Sequence, residues 1–378
     1  MPIEKTFGIQ ASMTIPQKLR HLNWGLLALL TMVAAVGWLA LYSAAGGSLE
    51  PWAGKQMVRF VFGVGILIFV ALVDIRWWYR LAYPIYGVTL VLLVIVDVMG
   101  HVGMGAQRWI NLGFMQIQPS EIMKMAGVMA LARYFHGASG DEVRRLFFLI
   151  PPALMIGIPV FLVMVQPDLG TSIMITIGGI GVIFLAGAPL WIFFAGAGLV
   201  AAALPVAWSL LHDYQKRRVT TFLNPESDPL GAGYHITQSK IALGSGGVSG
   251  KGFMNGSQSH LNFLPEKQTD FIFTLWAEEW GLTGGLFLLG LFGLVFLYAG
   301  WIALRCRHGF GRLLAFGLMI NFSVYAVINV AMVMGLIPVV GIPLPLVSYG
   351  GTAMLSILTS FGLIMCCGIH RDAKLPRM

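Results

Sequence analysis

The stretch LPEKQTDFIF, residues 264–273, sets acids just ahead of an apolar run. Asp270 in that position suits two jobs. Its oxygen can accept free backbone amides as a helix cap, or it can take a proton from an attacking hydroxyl as a general base. Other ionisable groups fall into equally compact motifs. In QPSEIMK, residues 118–124, Glu121 and Lys124 stand three apart, so they share one helix face and can pair. Ionisable groups inside an apolar bundle are costly, and they mark either a site or a partnered buried pair; both readings stand here. In QPDLGTS, residues 166–172, Asp168 precedes an apolar helix, where capping is the first expectation. In GAQRWINLG, residues 105–113, Arg108 sits beside Trp109. Arginine suits a two-pronged grip on phosphate, although anchoring at a membrane interface explains both residues.

Three further stretches bear on ligands. KRRVTTFLNPESDP, residues 216–229, opens with three cations that include Arg218. They suit lipid headgroups, and equally the diphosphate of a lipid-linked substrate. GSGGVSGKG, residues 244–252, has the look of a phosphate loop, but Ser245 and Gly252 stand where that motif needs Gly and Ser or Thr. Its glycines let a loop pack closely, while Lys251 can still meet an anion. GIPLPLVSYGGT, residues 341–352, is uncharged and rich in Pro and Gly. It reads as a rigid extended or re-entrant loop, which a membrane tolerates only against protein or a cavity.

The elements that must position these residues belong to a membrane protein. Of 378 residues, 57% are hydrophobic and only 11% charged, with a mean hydropathy of +0.79. A soluble chain of this length needs more polar surface. The net charge of +8 does not indicate nucleic acid, because the cations lie in short clusters between apolar segments, as loops do beside anionic lipids. The N-terminal twenty residues are polar for too long to begin a cleaved signal peptide, so the first apolar segment is expected to remain.

About 20 apolar residues cross a bilayer core. Segments that qualify run over 24–44, 58–74, 80–99, 146–165, 170–187, 190–211, 285–304, 312–335 and 351–369, and a tenth, 119–136, carries Glu121, Lys124 and Arg133. With ten spans, 14 of the 24 Lys and Arg fall on one face, which the positive-inside rule makes cytoplasmic. The fold expected is all-α: a polytopic membrane helix bundle of about ten transmembrane helices with both termini cytoplasmic and a long extracytoplasmic loop. It forms a single domain over 1–378, with seven spans in 20–211, the loop in 212–270, and three spans and a tail in 271–378. The loop is expected to fold back on the helix ends as short helices and turns. Residues 270–304 would make a helix of about 52 Å, far longer than the core is thick. A short helix, a joint softened by Gly281, Gly284 and Gly285, and then the true span is the economical solution. Cys306, Cys366 and Cys367 have no zinc-site spacing and read as reduced packing thiols.

In order along the chain, GAQRWI, QPSEIMK, QPDLGTS, LNPESDPLGAGYHITQSKIALGSGGVSGKGF, GSQSHLNFLPEKQTDFIF with AEEWG, and GIPLPLVSYGGT resemble the SEDS family (shape, elongation, division and sporulation). The match extends from about residue 20 to 370, and NGSQSHLNFLPE is closer to the elongation members than to the division members. Gln268 stands where the family commonly has His, which argues against an essential imidazole there. The resemblance implies a peptidoglycan glycosyltransferase that polymerises lipid II on the outer face of the bacterial inner membrane. It implies Asp270 as the catalytic carboxylate, with Glu121 and Lys124 beside it in the catalytic set and Asp168 as a further site residue. It also implies a divalent cation, Mg2+ or Mn2+, with unknown ligands. A class B penicillin-binding transpeptidase is the implied partner, within an elongation complex of other membrane proteins.

The chemistry suits these residues. A sugar 4-hydroxyl attacks an anomeric carbon bearing undecaprenyl diphosphate; the donor linkage is alpha and the product beta, so one inverting displacement with a single carboxylate base suffices. Glu121 and Lys124 are assigned to organising the cavity. Arg108, Arg218, Lys251, Lys124 or a metal ion would steady the leaving diphosphate. The rival readings are a transporter that flips lipid II and a scaffold without catalysis; the inverted symmetry common in transporters is not seen.

Overall fold

The computed structural model describes residues 13–99, 101–103, 106–111, 116–210, 216, 220–224, 232–260 and 266–376. The helices are α1 (Ile15–Arg20), α2 (Trp24–Ala44), α3 (Ala53–Leu72), α4 (Ile75–Met99), α5 (Pro119–Tyr134), α6 (Gly140–Val143) and α7 (Leu146–Val165). They continue as α8 (Leu169–Leu185), α9 (Leu190–Leu210), α10 (Ala232–Ser245), α11 (Ser257–His260), α12 (Ile272–Arg305), α13 (Gly309–Val333) and α14 (Gly351–Ile369). Seven of them, α2, α3, α4, α7, α12, α13 and α14, are long and apolar enough to cross a membrane. The apolar α8 and α9 and the charge-bearing α5 stand where the other three spans are expected.

Several spans start earlier than hydropathy suggests. Helix α3 begins at Ala53 and includes Lys55 and Arg59, and α4 begins at Ile75 and includes Arg76 and Arg80. Their cations find partners or the surface, so the helix runs on where an average over side chains stops. Residues 100–118 differ more. A short ribbon of three antiparallel strands, β1 (His101–Gly103), β2 (Ala106–Asn111) and β3 (Gln116–Ile117), stands where only a loop is expected.

Contacts sort the helix ends into two groups. At one end Lys18 donates to the Leu72 carbonyl at 2.7 Å, Arg133 to that of Arg80 at 2.8 Å, and Arg307 N to that of Arg371. At the other, Gln56 donates to the Ser348 carbonyl at 2.8 Å, Ser43 to Glu279, and Gln118 reaches Asp168. The start of α2 and the end of α14 therefore lie together, at the end that carries the cation clusters. Helix α5 is buried on nearly every side, including Glu121 and Lys124. Helix α9 shows most of its surface outward, with Phe194 75% and Leu199 72% exposed; such a surface needs lipid around it.

Two irregular segments shape the other end. Loop 341–350 enters the bundle: a Cβ on Gly37 would stand 2.7 Å from the Val347 Cα. Gly37 lies about 10 Å along α2 from its end at Ala44, so the loop is re-entrant, as its composition suggests. The second is α12, which breaks at Gly281, with φ 66° and ψ −161°. That conformation belongs to glycine, and a Cβ there would meet Gly250 N at 2.4 Å and the Val248 carbonyl oxygen at 2.6 Å. The expected short helix, joint and span are thus present, with the joint at one residue. Gly281→Ala is expected to destabilise the protein by more than ~2 kcal/mol, from backbone strain and the clash together. Thermal unfolding in detergent reads this directly, and an unchanged midpoint would contradict it.

Helix α10 agrees with the expectation that the long loop folds back as short helices. It lies back on the helix ends, where Ser239 meets Thr274 at 2.8 Å and donates to the Val333 carbonyl at 2.8 Å. The three cysteines are free and buried, as packing thiols are.

Candidate functional site

Asp270 closes the turn 266–270 that leads into α12. It does not cap that helix. Phe271 holds the N-cap position and makes no side-chain capping bond, so the acid stands one residue earlier, part-exposed. Three successive carbonyls fix it from behind. Tyr349 N donates to the Gln268 carbonyl at 2.9 Å, Ser348 Oγ to that of Thr269 at 2.6 Å, and Asn329 Nδ2 to that of Asp270 at 2.9 Å. Asn329 also donates to the Ile342 carbonyl at 2.7 Å, tying α13, the re-entrant loop and the turn together. Gly341 faces the carboxylate; a Cβ there would stand 3.5 Å from Asp270 Oδ2. The acid is therefore oriented by its backbone.

Three residues upstream, Lys267 is buried in the same turn, and burial pulls its ammonium below the ordinary lysine range. Arg59 lies over the Tyr349 ring at 4.8 Å, so α3 supports the re-entrant loop on its far side.

Deeper in the bundle, Lys124 Nζ pairs with Glu121 Oε1 at 2.6 Å. Tyr325 donates its hydroxyl across both Glu121 oxygens, at 2.8 and 2.9 Å. The ammonium lies 4.1 Å from the Tyr325 ring centre, an attraction that strengthens away from water. Asn321 Nδ2 donates to the Lys124 carbonyl and Ser356 Oγ to that of Glu121. Charge, ring and backbone are satisfied together, as a buried pair requires. Small crevices flank Lys124 on both sides of α5, one lined by Met155, Ile156 and Gly179, the other by Leu318, Ser356 and Ser360.

The remaining predicted residues fall elsewhere. Asp168 caps α8: Oδ1 accepts from Thr171 N at 3.1 Å and Oδ2 from Thr171 Oγ1 at 2.9 Å. Lys251 pairs with the buried Glu278 at 2.8 Å. Arg108 is a residue of β2 whose side chain lies outside the described region, and Arg218 also lies outside it. Among the described residues there is no group of three His, Cys, Asp or Glu placed to hold a metal ion.

Tyr325, Asn329, Arg59 and Lys267 also belong to this region and are not marked out by the sequence. A tyrosine, an asparagine and two cations scattered over the chain carry no spacing signal. Only the charges inside apolar helices, Arg59 above all, could have drawn attention.

Fold and site define a polytopic membrane protein with a compensated charge pair in its interior and a backbone-held carboxylate where a re-entrant loop meets a broken helix. The family model for cell cycle proteins, FtsW, RodA and SpoVE, matches residues 19–373, and the chain belongs to this family. It is 43% identical to the peptidoglycan glycosyltransferase MrdB of Escherichia coli K12, over 93% of this chain and 94% of that one. Among solved structures, the rod shape determining protein RodA of Thermus thermophilus superposes with a TM-score of 0.72 at 30% identity, over 93% of this chain and 98% of that one. A chain from a peptidoglycan synthase complex, described for its coordination of polymerization and crosslinking, gives 0.81 at 33% identity, with 93% and 98% covered.

Proposed function

We propose that this membrane protein is a peptidoglycan glycosyltransferase of cell elongation that polymerises lipid II, with Asp270 as general base. The observation that carries the chemistry is the clamp on the carbonyls of residues 268–270. It holds the turn that carries Asp270 through three successive backbone carbonyls, which is the preorganisation a base needs. The acceptor's 4-hydroxyl gives its proton to Asp270 while its oxygen attacks the donor's anomeric carbon, and undecaprenyl diphosphate leaves from the opposite face. Lys124 and Glu121, with Tyr325, hold α5 and α13 in one arrangement and take no proton. A divalent cation, Mg2+ or Mn2+, fits this reading as a companion of the diphosphate, since Mg2+ is usually held by one or two carboxylates together with substrate phosphates.

The cation-rich end faces the cytoplasm, following the excess of Lys and Arg there, and Asp270 faces the periplasm. A class B penicillin-binding transpeptidase supplies crosslinking beside it, a reading supported by the likeness to a chain of a peptidoglycan synthase complex. Other elongation-complex membrane proteins and membrane lipids complete its surroundings.

The test uses the purified protein with its transpeptidase partner, labelled lipid II and a penicillin to block crosslinking. Glycan polymer is the expected product. A change of leaflet without polymer would make the protein a flippase, and neither outcome would leave it a scaffold.

A further inference from the structure

The glycine-rich stretch that imitates a phosphate loop has a different task. At Gly281 helix α12 opens, and backbone groups on both sides of the break turn to another segment. Residues 247–252 fill the gap. Lys251 N and Gly252 N donate to the Glu278 and Glu279 carbonyls at 3.1 and 3.0 Å, while Leu282 N and Thr283 N donate to the Gly247 and Val248 carbonyls at 2.9 and 3.1 Å. Four backbone groups beside the break, two carbonyls before it and two amides after it, are therefore satisfied by one inserted segment, as buried backbone must be. The fit needs glycine, since a Cβ on Gly250 would stand 2.1 Å from the Glu279 carbonyl oxygen.

Side chains lock the insertion. Glu278 is fully buried, and its Oε1 accepts from Lys251 Nζ at 2.8 Å, Gln258 N at 3.0 Å and Ser257 Oγ at 3.3 Å. Phe253 stands between Tyr42 and Trp280, with ring centres 6.4 and 6.2 Å away. Trp276 Nε1 bridges the break to the Gly284 carbonyl at 2.8 Å. The segment so held, residues 272–280, continues directly from the turn that carries Asp270.

We infer that Lys251 is a positioning residue: paired with Glu278, it closes a clasp across the broken helix and so sets the direction of the Asp270 turn. The inference rests on the reading of Asp270 as the reacting acid. A substrate cation in the same place would act differently, and the difference is measurable. Lys251→Met leaves Glu278 buried without its cation, the costly half of breaking such a pair. Glu278→Gln removes that charge yet keeps an oxygen to accept from Gln258 N and Ser257.

Polymerisation of lipid II is measured against substrate concentration for Lys251→Met, Glu278→Gln and the double variant, per folded molecule and with the partner present. Lys251→Met is expected to lower kcat at least ~10-fold with KM within ~2-fold, and the double variant to return within ~3-fold of the wild type. A raised KM at unchanged kcat, or a double variant no better than Lys251→Met, overturns the inference. If the wild type itself makes no polymer, the glycosyltransferase reading fails, and thermal unfolding in detergent decides the clasp. Lys251→Met then lowers Tm and Glu278→Gln added to it raises Tm again; absence of that recovery overturns the clasp. Should Lys251→Met not fold at all, recovery of folded protein in the double variant is the same signature.

Discussion

Asp270→Asn is expected to lower glycan polymerisation by about 100- to 10,000-fold, the usual worth of a positioned general base, while the protein still inserts, folds and binds its partner. The substitution is nearly isosteric, and the three bonds that hold the turn end on the carbonyls of residues 268–270, which it does not touch. Nor does it disturb a helix cap, because Phe271 occupies that position. What changes is basicity: a carboxylate accepts a proton near neutral pH and an amide does not. Product analysis by gel or chromatography from labelled lipid II gives the rate, and co-purification with the transpeptidase confirms the intact fold. Polymer formed at the wild-type rate by folded Asp270→Asn protein would remove Asp270 from the chemistry.

The second large effect is on stability. Lys124→Met removes the cation from Glu121, whose surroundings in α5 and α13 are otherwise apolar or already bonded. Leaving a buried charge unpaired costs about 3–5 kcal/mol, more than the ~1.5–3 kcal/mol for losing one hydrogen bond to a charged group. The ranking expected in thermal unfolding is therefore Lys124→Met well below Tyr325→Phe, which keeps the ion pair and loses only the hydroxyl across Glu121. Adding Glu121→Gln to Lys124→Met should recover part of the loss, since a neutral amide is cheaper to bury than a carboxylate. A Lys124→Met variant as stable as the wild type would contradict the assignment of the pair to stability.

These two groups differ in how openly the chain displays them. An acid and a base three residues apart in an apolar span advertise a buried pair, because helix geometry places them on one face wherever the helix goes. The pair at 2.6 Å was readable for that reason. The third member, Tyr325, is 204 residues away from Glu121 and enters only because α13 packs against α5.

Asp270 shows the converse. Its neighbours in sequence suggested a cap, and local propensity has no means of choosing between that and a rim position. The choice is made by Asn329, Ser348 and Tyr349, which reach the turn from α13 and the re-entrant loop. Lys251 was likewise read as free to meet an anion, because the chain around it is glycine and serine; burial of Glu278 against it followed from a helix breaking 30 residues later.

The amino-acid sequence by itself determined the solvent, the polytopic helical bundle and a glycine joint within residues 281–285. Each depends on short-range quantities: apolar length against bilayer thickness, charge between segments, and a backbone angle that glycine adopts without penalty. The tertiary structure alone decided which charges hold the protein together and which distant residues hold the turn that carries Asp270. Those assignments depend on contacts between residues far apart in the chain, whose energies appear only once the helices have packed.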